Sequence, residues 1–229
     1  MALTKVDKTL LETTGVADAT TYLRGDGAWT AIASGGFDDL VSFTSTQSYT
    51  IPASITKQVF IVTGSGGGAG GSSGGYFASA GSAGGTVIKK LALAAGSVIQ
   101  ITVGIAGTGG ATTANGVDGG DVTVATTSGT SFATLTGPGG MRGMYNERPN
   151  AQTVPSGGDI NLAGGYAGSY YGVGGSSYWG GGGSGGFNDT AARDALVPGS
   201  GGGGSMTGGS TSFVGADGAV GIVVIHLYK

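Results

Sequence analysis

Gln58-Val59-Phe60-Ile61-Val62-Thr63 runs directly into Gly64-Ser65-Gly66-Gly67-Gly68-Ala69-Gly70-Gly71, and the junction of these two stretches decides the fold. In the first, Val59 and Ile61 alternate with Phe60 and Val62, the period of two that marks a strand. In the second, no ordinary element can form, because a glycine inside a strand or helix costs about 0.5–1 kcal/mol relative to alanine. The contrast recurs along the chain. Residues 1–63 hold five of the 53 glycines and the remaining residues hold 48, with dense runs over 64–75, 180–186 and 199–204. Apolar Ile222-Val223-Val224-Ile225 lies close to the end. Strands therefore frame glycine segments that are either flexible or held by something that requires bare backbone.

Short stretches rich in Val, Ile, Thr and aromatics, each bounded by turn residues, extend the strand reading to 48–51, 86–93, 98–105, 121–126, 131–136 and 220–228. They predict an all-β fold, a β-sandwich with long, ordered glycine-rich loops. The last strand, nearly continuous in apolar residues, is expected to lie centrally, buried on both faces or against a neighbouring chain. Between Thr136 and Val220 the strand signal fades, yet this region holds Tyr145, Tyr166, Tyr170, Tyr171, Tyr178, Trp179 and Phe187. Flexible Gly/Ser linkers lack such aromatics, so order is expected here. Two forms of order suit glycine: polyproline II segments packed side by side (polyglycine II), or tight turns joining short strands. Collagen is excluded, since no Gly-X-Y period persists and prolines number five.

Ahead of the strands, Leu3, Val6 and Leu10 with a Thr4/Asp7 capping pair predict a short helix, marginal by itself. Tyr22 to Trp29 encloses Arg24-Gly25-Asp26-Gly27 between apolar anchors and reads as a hairpin or tight corner. The Arg-Gly-Asp tripeptide suits that corner better than cell adhesion. Ala33-Ser34-Gly35-Gly36 looks like a joint, which divides the chain into a connecting segment, 1–34, and a glycine-rich sandwich, 35–229.

Only 10% of residues are charged and the net charge is -3, with no basic stripe, which argues against nucleic acid. Cysteine is absent and His226 is the single histidine, so thiolate and histidine metal sites are ruled out, and no metal or other cofactor is expected. His226, inside an apolar strand, reads as a rim or interface residue rather than a catalyst. No stretch is long and apolar enough to span a membrane, and the start lacks a signal-peptide core; synthesis in a cytoplasm is expected. Gly66, Gly68 and Gly71 form a G-x-G-x-x-G, but the helix and acidic residue that a dinucleotide site needs do not follow. Carboxylate chemistry is the remaining enzymatic route; Asp38 and Asp39 would face opposite ways on a strand, and Asp118, Asp121, Asp159, Asp189 and Asp194 read as turn residues. No enzyme is expected.

Two groups of residues are candidates for binding. Tyr166, Tyr170, Tyr171, Tyr178 and Trp179 offer flat, low-entropy surfaces on loops, or else pack as spacers between glycine layers. Arg142, Tyr145 and Arg148 could grip an anionic group, or an Arg-Glu pair through Glu147 could simply order their loop.

The ordered set of motifs resembles the glycine-rich C-terminal domains of bacteriophage tail fibres and similar adhesins. The likeness is carried by Tyr49-Thr50-Ile51-Pro52-Ala53, the Gln58 to Gly64 junction, Ile99-Gln100-Ile101-Thr102-Val103-Gly104, Gly119-Gly120-Asp121-Val122-Thr123-Val124, Ala133 to Gly140, and Gly215-Ala216-Asp217-Gly218-Ala219-Val220 with the strand after it. Tyr22 to Trp29 looks like the connector before many fibre tips. The resemblance implies a homotrimeric receptor-binding tip in the virion, with residues 1–34 as connector and trimerisation segment, that contacts a bacterial surface polysaccharide or outer-membrane protein. The region 141–198 departs from the simple glycine pattern, where a variable recognition surface would be expected. A purely structural fibre connector and a carboxylate-based polysaccharide depolymerase are the alternatives.

Overall fold

The computed structural model describes residues 21–23, 28–31, 36–147, 154–168, 172–187, 190–209 and 211–229. The helix expected around Leu3–Leu10, the corner at Arg24–Gly27, and Arg148, Tyr170 and Tyr171 lie outside these residues. The chain forms two compact units, Met1–Gly36 and Phe37–Lys229. In the first, β1 (Thr21–Leu23) pairs antiparallel with β2 (Trp29–Ala31), Leu23 opposite Trp29, so two paired strands flank the corner residues.

The second unit is an all-β sandwich. One layer orders β10 (Leu135–Gly137), β9 (Val122–Ser128), β8 (Val98–Val103) and β4 (Gln47–Thr50). The other orders β11 (Ile160–Leu162), β7 (Thr86–Leu91), β5 (Lys57–Thr63), β13 (Ile222–Tyr228) and β3 (Phe37–Phe43). A small pair, β6 (Ser72–Ser73) with β12 (Ser212–Phe213), stands apart. Alternation places Phe60, Val62, Val223, Ile225 and Leu227 on the inner face of one layer and Ile99, Ile101, Val122, Val124 and Leu135 on the other, where they form a single core. Burying each large side chain contributes about 1.5–3 kcal/mol. Gln58 is fully buried too, and its amide closes a two-way pair with Leu93: Oε1 accepts the Leu93 N–H at 2.8 Å and Nε2 donates to the carbonyl at 3.4 Å. No polar cost is left unmet there.

β13 lies between β5 and β3, one place in from the sheet edge. Val224 and Ile61, on its outer face, are buried as well, and His226 meets the Phe37 ring edge-on at 6.0 Å. At the opposite edge, Asp159 accepts from Lys89 Nζ at 2.7 Å and from the Lys90 N–H at 2.9 Å, and these bonds hold its carboxyl below the usual carboxylate range.

Beyond Thr63 the glycine segments take over, and their hydrogen bonds have a period of three. From residues 64, 67 and 70 the N–H groups donate to the carbonyls of 85, 82 and 79; from 65, 68 and 71 to 120, 117 and 114; from 66 and 69 to 219 and 216. The carbonyls receive in the same rotation: Ser65 and Gly68 from Gly140 and Gly143, Gly66 and Ala69 from Gly107 and Gly110, Gly67 from Gly202. A backbone whose partner changes every residue and returns every third, with no bond inside its own segment, has the symmetry of a polyproline II helix. Segment 78–85 repeats the rule: 78, 81 and 84 donate to 205, 202 and 199, while 79, 82 and 85 donate to 144, 141 and 138. The glycine runs therefore form a lattice of parallel and antiparallel extended helices, not isolated turns.

Glycine is needed here for room rather than for unusual torsion. A Cβ at Gly66, Gly68 or Gly71, the three residues of the apparent dinucleotide motif, would come closer than 3.0 Å to the backbone of Ser200, Thr108 or Ala111. Side chains that remain act as cross-braces with the same spacing. Asn115, Asp118 and Asp121 accept the N–H groups of Tyr145, Arg142 and Gly139 at 2.8, 2.7 and 2.8 Å, and the hydroxyls of Ser79 and Ser82 accept those of Met144 and Met141. Asp118 and Asp121, read from sequence as turn formers, are lattice ligands of a neighbouring backbone.

Candidate recognition surface

The two halves of the sandwich unit give it opposite poles. Phe37, where the unit begins, pairs with Tyr228, and the Tyr228 carbonyl accepts the Thr56 N–H, so the unit's first and last strands meet at one pole. From there β5 runs to Thr63 and continues as segment 64–71 to Ser72. At about 3.3 Å per strand residue and about 3.1 Å per polyproline II residue, that path covers about 45 Å.

The far pole is where the lattice segments turn back, and it is rich in exposed apolar side chains. Past Ser73 the chain reverses through Gly74 and Gly75, whose φ angles of 58° and 83° suit glycine and disfavour side chains, into Tyr76. Tyr76 is half exposed and its ring meets Tyr145 edge-on at 5.9 Å. Tyr145 is held by bridging to Ala78 and by its N–H bond to Asn115. Phe77 bridges to Met206, and Met206 donates to Gly186, which brings Phe187 to the same level. Phe187 is 50% exposed and Val214, next to the lattice residue Gly215, is 67% exposed. Hydroxyl pairs Ser72–Ser205 and Ser73–Ser212, with Thr207 Oγ1 accepting the Gly75 N–H, fasten the turns beneath them. The result is an apolar, aromatic cap on a rigid base.

The structure divides the residues singled out from sequence. Tyr145 sits in the cap. Arg142 lies along the lattice, where its N–H bonds Asp118 and its guanidinium stands 3.8 Å from the same carboxylate, so the ion pair joins Arg142 to Asp118 rather than to Glu147. Tyr166 is exposed on the lattice flank, one residue past Gly165, which bonds Ser176. Tyr178 and Trp179 pack ring against ring at 5.0 Å, and the Trp179 indole N–H donates to Thr63 Oγ1 at 3.0 Å. That bond fixes Trp179 where sheet passes into lattice, about 25 Å from the cap at polyproline II rise. Of the five aromatics, Tyr166, Tyr178 and Trp179 are among the described residues, and the Gly165 N–H bond to the Ser176 carbonyl joins the segments that carry them. Tyr76 was missed; its signal is the Tyr76-Phe77 pair interrupting the glycine run between Gly75 and Gly81.

Among the described residues no group of His, Asp or Glu is arranged to hold a metal ion, and no helix is long and apolar enough to cross a membrane. The carboxylates of Asp118, Asp121, Asp194 and Asp217 each accept a backbone N–H. No curated protein matches the chain. The family profile of a glycine-rich domain matches residues 41–228, a span that runs from within β3 to the end of β13 and takes in the whole lattice, so the chain belongs to the glycine-rich domain family.

Proposed function

We propose that the chain is the receptor-binding end of a phage or phage-derived tail fibre, a homotrimeric virion component that attaches non-covalently to a bacterial surface polysaccharide or outer-membrane protein. One observation carries the reading: an exposed aromatic cap stands on a rigid lattice, at the pole farthest from the residue where the unit begins. Binding residues concentrate on loops that a rigid scaffold presents, and ordered loops give up little entropy on contact. Linking three such caps multiplies a weak single contact without tightening it. The engagement of the carboxylates in bracing the lattice favours this reading over a depolymerase.

The test is binding of the purified protein to a panel of bacterial strains. Removing both rings with Tyr76→Ala and Tyr145→Ala is expected to weaken binding to the recognised strain by about thirtyfold, the effect of about 2 kcal/mol at an aromatic hot spot. Melting temperature and oligomeric state should stay those of the parent. A parent that binds no strain, a double variant that binds as well as the parent, or light scattering that shows a stable monomer would each count against the proposal.

A further inference from the structure

On the flank of the lattice, away from the cap, lies a shallow cleft of about 590 Å³, within the size range of small-ligand sites. One wall is the backbone of Gly181–Ser184, the other is Ala192–Val197, with Arg193, Asp194 and Leu196 among the lining residues. A Cβ at Gly181 would meet nothing, so the floor there is open, and neither Gly181 nor Gly182 donates a backbone hydrogen bond among the described residues.

We propose that this cleft binds a neutral saccharide. Its polar groups stand on a fixed backbone. The Arg193 N–H donates to Ser184 O at 3.0 Å and its carbonyl accepts from Gly203 at 3.2 Å, so the backbone beneath the guanidinium is fixed on both sides. The guanidinium itself makes no ion pair among the described residues. Asp194 is aimed by one oxygen, Oδ1, which accepts the Asp217 N–H at 2.7 Å, and the other oxygen remains to accept from a ligand. A planar donor fork beside a carboxylate acceptor matches adjacent hydroxyls on a ring, one accepting and one donating. Leu196, 91% exposed, offers an apolar surface to the C–H face of the same ring.

The rest of the chemistry narrows the ligand. Asp194 beside Arg193 balances the charge, so a phosphate or polyanion would meet repulsion along with attraction. The open, shallow shape does not enclose an apolar molecule. Such a rigid site loses little entropy on binding, which suits a ligand that makes few contacts. The inference stands on the cleft alone and does not depend on what the aromatic cap contacts.

An array of neutral and acidic bacterial-type oligosaccharides supplies the test, followed by calorimetry of the full chain with the neutral glycan that binds best. Neutral hexose-containing members are expected to bind. Arg193→Gln and Asp194→Asn should each weaken that binding by about tenfold, the effect of a hydrogen bond to a charged group, without change in melting temperature; the asparagine keeps the oxygen that braces Asp217. The variant lacking the Tyr76 and Tyr145 rings should bind the sugar as the parent does. Absence of binding to every neutral member, a preference for acidic ones, survival of binding in both cleft variants, or its loss in the cap variant would overturn the proposal.

Discussion

Gly202→Val will unfold the protein at a markedly lower temperature than the parent. A Cβ at Gly202 would come closer than 3.0 Å to the backbone of Ala216 and Asp217, and Gly202 also donates to Gly67 and accepts from Gly81. No side chain can rotate out of the way, and a backbone shift of segment 215–219 would strain its own bonds to Gly66 and Ala69. The cost should therefore reach the upper end of the overpacking range, about 3 kcal/mol. For a chain of this size that is a fall of about 6–12 °C. Gly182→Val, whose Cβ would strike the Gly174 backbone, should behave alike, whereas Gly209→Ala, with nothing within 4 Å, should change the melting temperature by little. Equal melting temperatures for Gly202→Val and Gly209→Ala would contradict a packed lattice.

Phe60→Ala should destabilise at least as much by the opposite operation. Phe60 is fully buried between the two layers, with its ring 6.2 Å from that of Phe132. Truncation removes the apolar surface and leaves a cavity that two sheets can only partly close, a loss of about 3–5 kcal/mol. Phe60→Leu, which keeps most of the volume, should lose clearly less. Denaturant midpoints of the three proteins check the order; a Phe60→Ala midpoint equal to that of the parent would mean that the core does not hold the layers. The unit thus fails in two ways: its sandwich half suffers from atoms removed, its lattice half from atoms added.

That division also explains what could be read from the sequence. β5, β8 and β13 were visible because one face of each is buried, which forces apolar residues to alternate. β3 was not, because Asp38 and Asp39 interrupt the pattern and the strand is an edge, exposed along most of its length. β11 fails for the same reason, since all three of its residues are exposed. Lattice segments bury backbone and small side chains such as Ala69, Ala80, Ala83, Ser79 and Ser82, so no period of large apolar residues exists to be found. The legible trace is polar: Asn115, Asp118 and Asp121, and Ser79 and Ser82, recur at intervals of three because every third residue faces the same neighbour. Tyr145 was recognisable as a surface aromatic, but its partner Tyr76 comes from a turn about seventy residues earlier, and register between distant lattice segments brings them together.

The lattice has a thermal consequence. When it melts, it releases mainly peptide groups and glycine methylenes into water, with few large apolar side chains. Apolar exposure raises the heat capacity on unfolding and polar exposure lowers it, for an ordinary net of about 12–15 cal/mol/K per residue. A chain in which glycine accounts for 53 of 229 residues should fall clearly below that, and scanning calorimetry at several pH values can measure it. A smaller heat-capacity change flattens the curve of stability against temperature, so the far half of the molecule should keep its rigidity almost unchanged from cold water to body warmth.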